Sequence, residues 1–252
     1  MRATVVAALL AACSAPPPAK HDTASFIAPA GQAATAFPGA ARPVSSIVSA
    51  RWSTESDRDT AGEADAVIRL LGVQPGMTVA DIGAGEGYYE PHLSKAVGPT
   101  GTVIAQDVMP ETVAALVTRV DAARLKNVFV ARGEPSDPRL PADSVNIALL
   151  IHMYHEITSP YALLWNLRAA LRDGGRVAVL DADRATDAHG TPPALLRCEL
   201  AAVGYVETAR QPLGAGGIYL AVFTPRGSPP EPSRITACDS TGKPLIGTVL
   251  PR

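Results

Sequence analysis

A glycine cluster behind a short apolar run is the strongest constraint on how this 252-residue chain can fold. Met77 to Ile82 has the pattern of a buried strand, and Tyr88 to Val97 that of a helix. Glycine lets the backbone turn tightly and approach a ligand closely, because it has no Cβ. The helix that begins there directs free amide groups at the same space, which favours a carboxylate or phosphate group. The connecting loop contains Gly83, Gly85 and Gly87.

Strand and helix patterns alternate through the central part of the chain, which predicts a doubly wound α/β fold with a mostly parallel sheet. Ligands of such sheets bind outside the carboxyl ends of the strands. Further strands are predicted over Gly101 to Gln106, Val128 to Ala131, Val145 to Ile151, Arg176 to Leu180, Tyr205 to Arg210 and Ile218 to Thr224. Further helices are predicted over Asp59 to Leu71, Glu111 to Ala123, Pro160 to Leu171 and Pro193 to Val203.

The glycine spacing argues against a nicotinamide dinucleotide, whose Gly-x-Gly-x-x-Gly loop would need glycine at the position of Tyr88. An oxidoreductase on a similar fold is disfavoured for the same reason. Asp107 ends the second predicted strand, about twenty residues beyond the last glycine, where ribose-binding folds place an acidic residue. A carboxylate suits that task because it accepts hydrogen bonds from two hydroxyls at once.

The segment from Asp81 to Gly87 resembles motif I of class I methyltransferases, Asp-x-Gly-x-Gly-x-Gly. The similarity extends over about residues 56 to 224 and includes the turn from Leu171 to Arg176. It implies a Rossmann-like sheet of seven strands with a final antiparallel strand, and S-adenosylmethionine as cofactor. It also implies that the cofactor is held by Asp81, Gly83, Gly85, Gly87, Tyr88, Asp107, Val108 and Glu134. Alternatively, Asp81 and Asp107 could each cap the helix that follows.

Methyl transfer needs alignment and, for a protonated nucleophile, a base near the end of the fourth strand. There Tyr154 is predicted to line the methyl-transfer channel and His155 to act as general base. Alternatively, Tyr154 packs in the core and His155 orients loops. A metal held by His152, His155 and Glu156 is conceivable, but the sequence offers no further matching ligand cluster, so no metal is predicted.

The two ends of the chain differ from its centre. Val5 to Ala12 is a short apolar run before Cys13 that resembles the lipobox of bacterial lipoproteins, so residues 1–13 are predicted to be a signal segment that leaves a lipid-anchored, periplasmic protein. If the signal is not used, the protein is cytoplasmic. Small residues and prolines predict a disordered tether over residues 14–46 and a proline-rich tail over 226–252, around a methyltransferase domain at 47–225.

Acylation of Cys13 would leave Cys198 and Cys238 in an oxidising compartment, where they could pair. Cys198 lies within a predicted helix, where a cysteine also serves as a small buried hydrophobe, so both alternatives stay open.

A net charge of −2 gives no reason to expect a nucleic-acid partner. The prediction is therefore an S-adenosylmethionine-dependent methyltransferase with an unidentified small-molecule acceptor. The alternative is a membrane-anchored binding lipoprotein that keeps the fold without catalysis, because S-adenosylmethionine is made in the cytosol.

Overall fold

Seven strands form one sheet in the computed structural model, which describes residues 27–47 and 54–245. Across the sheet the strands follow the order β3-β2-β1-β4-β5-β7-β6, and β7 alone runs antiparallel to its neighbours. This confirms the predicted mostly parallel sheet with an antiparallel final strand. The strands are β1 (Thr78–Ile82), β2 (Thr102–Asp107), β3 (Val128–Arg132), β4 (Val145–Ile151), β5 (Leu171–Ala182), β6 (Tyr205–Pro212) and β7 (Ile218–Pro225).

Helices cover both faces of the sheet, so the central strands are buried on both sides. One core packs α5 and α6 against the sheet, and the other packs α2, α3 and α4. The single helix predicted over residues 59–71 is two helices, because Gly62 adopts a left-handed conformation between them. The helices are α1 (Glu55–Thr60), α2 (Glu63–Leu71), α3 (Tyr89–Val97), α4 (Pro110–Ala122), α5 (Pro160–Ala170) and α6 (Pro193–Ala202).

The order of strands reverses between β1 and β4, which are neighbours in the sheet although β2 and β3 intervene in sequence. The loops after β1 and β4 therefore diverge to opposite sides and open a crevice at the carboxyl ends of the strands. The glycine loop and the segment 152–156 border this crevice.

The described N-terminal segment is packed against the domain, which contradicts the predicted disordered tether for residues 27–46. Phe37 is buried, with its ring 5.9 Å from the ring of Trp165. The Arg42 guanidinium donates to Glu199 at 3.0 Å inside the core. Composition alone predicted a tether because the segment has few large apolar groups, but those few have specific partners in the domain. The predicted signal, Cys13 and the first part of the tether lie outside the described residues.

The C-terminal segment also packs against the domain as far as residue 245, which corrects the predicted boundary at 225. Cys198 and Cys238 form a disulfide. The backbone amide of Cys238 donates to the Tyr161 hydroxyl at 2.7 Å, and Ile235 is buried. The disulfide joins this segment to α6, so residues 226–245 form an ordered C-terminal strap on the domain. Within 27–47 and 54–245, none of the helices has the length and apolar character of a membrane span.

Candidate active site

A cavity of about 750 Å³ lies at the carboxyl ends of β1, β2 and β4. Its volume falls in the range usual for small-molecule sites. Polar groups from several loops converge on a wall that is otherwise largely apolar. Of the predicted cofactor-binding residues, the cavity lining includes Gly83, Gly85, Tyr88, Asp107, Val108 and Glu134.

The glycine loop after β1 is shaped by close contacts. Gly83 has a φ of +72°, and a Cβ there would lie 2.9 Å from Met153 Cε. Gly87 has a φ of +84°, and its Cβ would lie 2.6 Å from Leu116. By contrast, a Cβ on Gly85 would meet nothing within 4 Å. The loop therefore packs against its neighbours on one side and presents open backbone to the cavity at Gly85, as a closely approaching ligand requires.

Asp107 ends β2 and faces the loop. Its carboxylate accepts hydrogen bonds from the backbone amides of Gly85 and Met109, each at 3.0 Å. The Met109 contact means that the alternative local role, ordering the start of α4, is present as well. A carboxylate has about four lone-pair sites, so two remain for a ligand's hydroxyls.

Next to Asp107, the cavity lining includes the buried side-chain amide of Gln106. Within the described residues, Gln106 Nε2 has no hydrogen-bond partner. Glu134, close by in the lining, accepts from Arg139 at 2.7 Å. A heterocyclic ring between these groups would satisfy the orphaned donor, which fits a cofactor with an adenine end.

Asp81 is placed beneath the loop and is not part of the cavity lining. Burial raises the pKa of its carboxyl to about 7, and the nearby Glu90 is fully buried with its pKa raised well above the usual value, first by burial and then by Asp81. Two carboxyls so close in a dry environment favour shared protonation. Asp81 therefore lies under the glycine loop, and its side chain does not line the cavity.

The sequence did not predict a further group of charged side chains at the cavity, in which Arg58 and His152 line the wall and Glu63 connects them. His152 Nε2 lies 3.1 Å from Glu63, and Arg58 donates to the same carboxylate at 2.7 Å. Burial alone would raise the pKa of Glu63, but the hydrogen bonds and charges of His152 and Arg58 outweigh it and hold the pKa at about 2. The Arg58 guanidinium also lies 3.9 Å from the centre of the Tyr88 ring, whose hydroxyl donates to Asp59.

Tyr154 does not face the cavity, which contradicts its predicted place in the methyl-transfer channel. Its side chain is fully buried, and its hydroxyl donates to Glu199 at 2.8 Å. The Arg42 guanidinium lies 5.5 Å from the ring centre. The ring thus belongs to the core beneath the site, as the packing alternative proposed.

His155 is likewise buried behind the cavity wall, which contradicts its predicted role as a base that reaches the acceptor. Its Nδ1 lies 3.1 Å from both carboxylate oxygens of Asp181. Of residues 152–156, His152, Met153 and Glu156 line the cavity, and His152 has a φ of +54°. With this left-handed backbone the chain departs from the extended conformation of β4 at His152. The sequence pattern does not show this change, so it did not point to His152.

Comparison with known proteins agrees with this geometry. A family profile described as "Methyltransferase domain" matches residues 56–204. The chain belongs to this family, and the class defined by its fold and glycine loop is that of class I methyltransferases, whose cofactor is S-adenosylmethionine.

Individual relatives are distant. The chain is 29% identical over 113 residues to a protein-L-isoaspartate O-methyltransferase of Methanothrix thermoacetophila, covering 44% of this chain and 50% of the relative. It is 27% identical to an arsenite methyltransferase of Halobacterium salinarum, covering 60% of this chain and 40% of the relative. The chain thus spans half or less of the length of these curated relatives.

Among solved structures, a S-adenosylmethionine-dependent methyltransferase from Aquifex aeolicus superposes with a TM-score of 0.57 and 26% identity, covering 68% of this chain and 97% of that one. The glycopeptide N-methyltransferase MtfA, solved with S-adenosylmethionine, shares the fold at a TM-score of 0.55 and 14% identity, covering 66% of this chain and 87% of that one.

Proposed function

We propose that this protein transfers the methyl group of S-adenosylmethionine to a small-molecule acceptor held in the cavity at the carboxyl ends of β1, β2 and β4. One observation supports this above the others: the glycine loop, Asp107 and a histidine oriented by a carboxylate all face one cavity of about 750 Å³. A cavity of this size suits a compact acceptor better than a polymer.

The chain's own groups fit the cofactor. The open backbone at Gly85 and the start of α3 suit its amino-acid end, Asp107 suits the ribose hydroxyls, and Gln106 with Glu134 suits the adenine. When bound, the cofactor supplies an electrophilic methyl group. The protein's part is to align the acceptor and exclude water.

His152 replaces His155 as the proposed base. Its Nε2 is held by Glu63, and this carboxylate keeps a negative charge because Arg58 and His152 hold its pKa at about 2. A carboxylate behind an imidazole fixes the ring's orientation and stabilises its protonated form. His152 can therefore receive a proton from the acceptor while Glu63 acts as a positioning residue.

The proposal is tested by release of S-adenosylhomocysteine from the full chain with panels of small alcohols, thiols and amines. With an accepted compound, His152→Ala is expected to lower kcat roughly 100-fold, as for loss of a general base, with little change in cofactor affinity. His92→Ala, a partly exposed histidine on α3, is the control and should stay active. Full activity of His152→Ala would remove the assigned base.

We also propose export and lipid attachment through Cys13, and the Cys198–Cys238 disulfide supports this because such bonds persist in oxidising compartments. Export also favours the second candidate, a binding lipoprotein without turnover, because the cofactor is made in the cytosol. Cell fractionation and mass spectrometry of the mature amino terminus test whether the protein is exported and carries a lipid on Cys13. Cofactor binding without turnover on any acceptor would favour the second candidate.

A further inference from the structure

Beside the cavity, two histidines and a glutamate from separate segments converge. The ligand-type atoms of His155, Glu156 and His189 all lie within 4.8 Å of one another. His155 and Glu156 follow β4, whereas His189 comes from the loop after β5. We infer that these three side chains form a binding site for a divalent metal ion of the zinc class.

The donor set matches that class. Two imidazoles and one carboxylate are a common ligand set for zinc in sites that keep one coordination position open. Zinc ligands lie about 2.0–2.2 Å from the ion, so neighbouring donor atoms in a tetrahedral site are about 3.4 Å apart. The three donor atoms lie within 4.8 Å of one another, so coordination requires the partly exposed Glu156 and His189 side chains to move closer to His155. The rings of His155 and His189 already meet at 89°, with centres 5.5 Å apart.

A second layer of contacts is already built around His155. A carboxylate only accepts hydrogen bonds, so the 3.1 Å contacts to Asp181 assign the proton to His155 Nδ1 and make Nε2 the coordinating nitrogen. Asp181 is itself fixed, because it accepts from Thr191 Oγ1 at 2.7 Å and from the Ala182 amide at 2.8 Å. A histidine held by a buried carboxylate in this way is the usual support of a metal-binding imidazole.

The loop that supplies His189 is equally constrained. Two residues after His189, the Thr191 amide donates to the Ala182 carbonyl at 2.8 Å. The Tyr219 hydroxyl in turn donates to the Thr191 carbonyl at 2.6 Å. On the other side, the Ser45 hydroxyl donates to Thr186 and the Ser45 amide donates to the His155 carbonyl. The N-terminal segment therefore joins the two segments that contribute the ligands.

The site adjoins the proposed active site through Glu156, which also lines the cavity. Three protein ligands leave one position for water, or for an oxygen or sulfur atom of a compound in the cavity. From the sequence, a metal held by His152, His155 and Glu156 was conceivable but not predicted; in the structure His152 contacts Glu63, and it is His189 that lies with His155 and Glu156. Metal binding is independent of methyl transfer and is measured without cofactor or acceptor.

The test is a calorimetric titration of ZnCl₂ into the full chain after removal of metal with a chelator, without reducing agent. One equivalent is expected to bind, and His189→Ala is expected to weaken binding at least tenfold. Asp181→Asn, which keeps the three proposed ligands and alters the support of His155, should weaken zinc binding roughly 10–100-fold. His92→Ala is the matched histidine control and should bind as the wild type does.

Circular dichroism checks the fold of each variant, and Glu156→Gln, which keeps size and shape, decides the question if His189→Ala does not fold. Co²⁺ gives an independent readout, because bound in a tetrahedral site it has strong visible absorption bands. These bands should be lost in both ligand variants, His189→Ala and Glu156→Gln. Zinc affinity unchanged in Glu156→Gln and in any folded His189→Ala would overturn the inference, as would failure of the wild type to bind.

Discussion

Glu63 is the residue on which the cavity wall most depends, because it holds both His152 and Arg58. Its pKa is about 2 in the folded protein against an ordinary 4.5. A lowered carboxyl pKa stabilises the fold fully above 4.5, and this contribution is lost as pH falls through about 2. From that shift the contribution is roughly 3 kcal/mol at neutral pH.

We therefore expect Glu63→Gln to lower the free energy of unfolding by roughly 3 kcal/mol at pH 7, and the gap from wild type to close between pH 4.5 and 2. Denaturant titrations across this pH range measure it. Glu231→Gln, at an exposed position, is the control. A gap that stays constant with pH would show that Glu63 is not ionised in the way described.

Among the predicted site residues, Gly85 and Asp107 line the cavity, whereas Tyr154 and His155 do not. Gly85 was predicted because the glycine loop resembles motif I of class I methyltransferases, and Asp107 because an acidic residue about twenty positions beyond such a loop suits a ribose. His152, the proposed base, was not predicted because the chain at this residue has a left-handed backbone after β4. Tyr154 was misplaced because its partners, Arg42 and Glu199, are 112 and 45 residues away in sequence. Such distant pairings leave no local pattern.

Among the larger elements, the N-terminal segment is attached through a buried ion pair. Arg42 and Glu199 have side chains with no exposed surface. Arg42→Ala leaves Glu199 buried without its cation, so we expect a loss of about 3 kcal/mol in unfolding free energy, measured by urea titration. Arg197→Ala breaks the exposed ion pair with Glu207 and should cost under about 1 kcal/mol. Equal small losses would show that the segment is not anchored there.

The disulfide fixes the C-terminal strap to α6 across 40 residues of sequence. Closing a loop of that length stabilises by about 4 kcal/mol in the chain-entropy treatment, an upper figure in practice. The double variant Cys198→Ser with Cys238→Ser should therefore melt at a lower temperature than the wild type. Reduction should lower the melting temperature of the wild type and leave the variant unchanged. More free thiol in the purified full chain than Cys13 alone supplies would contradict the pairing.

Element by element, the sequence predicted the strands well, since the apolar run Val145 to Ile151 is β4 itself. Buried strands and amphipathic helices produce local patterns that survive any tertiary context. The two terminal segments show no such local pattern. They are ordered by a few contacts with the folded domain, such as Phe37 with Trp165 and the disulfide. Low hydrophobicity predicted disorder there, and specific anchoring overrode it.

As a whole, the molecule combines a class I methyltransferase fold with a cavity whose lining comes from several loops between residues 47 and 163. The glycine loop follows β1, Asp107, the carboxylate proposed to bind the ribose, ends β2, and the proposed base follows β4. The N-terminal segment and the C-terminal strap pack on the opposite side from α3 and α4 and hold the segments beneath the site.

The most direct test is a calorimetric titration of S-adenosylmethionine into the full chain and into Asp107→Ala. We expect saturable binding, weakened at least tenfold in the variant, because a charge-assisted hydrogen bond contributes about 1.5–3 kcal/mol. Asp173→Ala is the control, because Asp173 is exposed near the start of β5; this variant should bind S-adenosylmethionine as the wild type does. Absence of binding in a folded wild type, or equal affinity in Asp107→Ala, would contradict the assigned cofactor site.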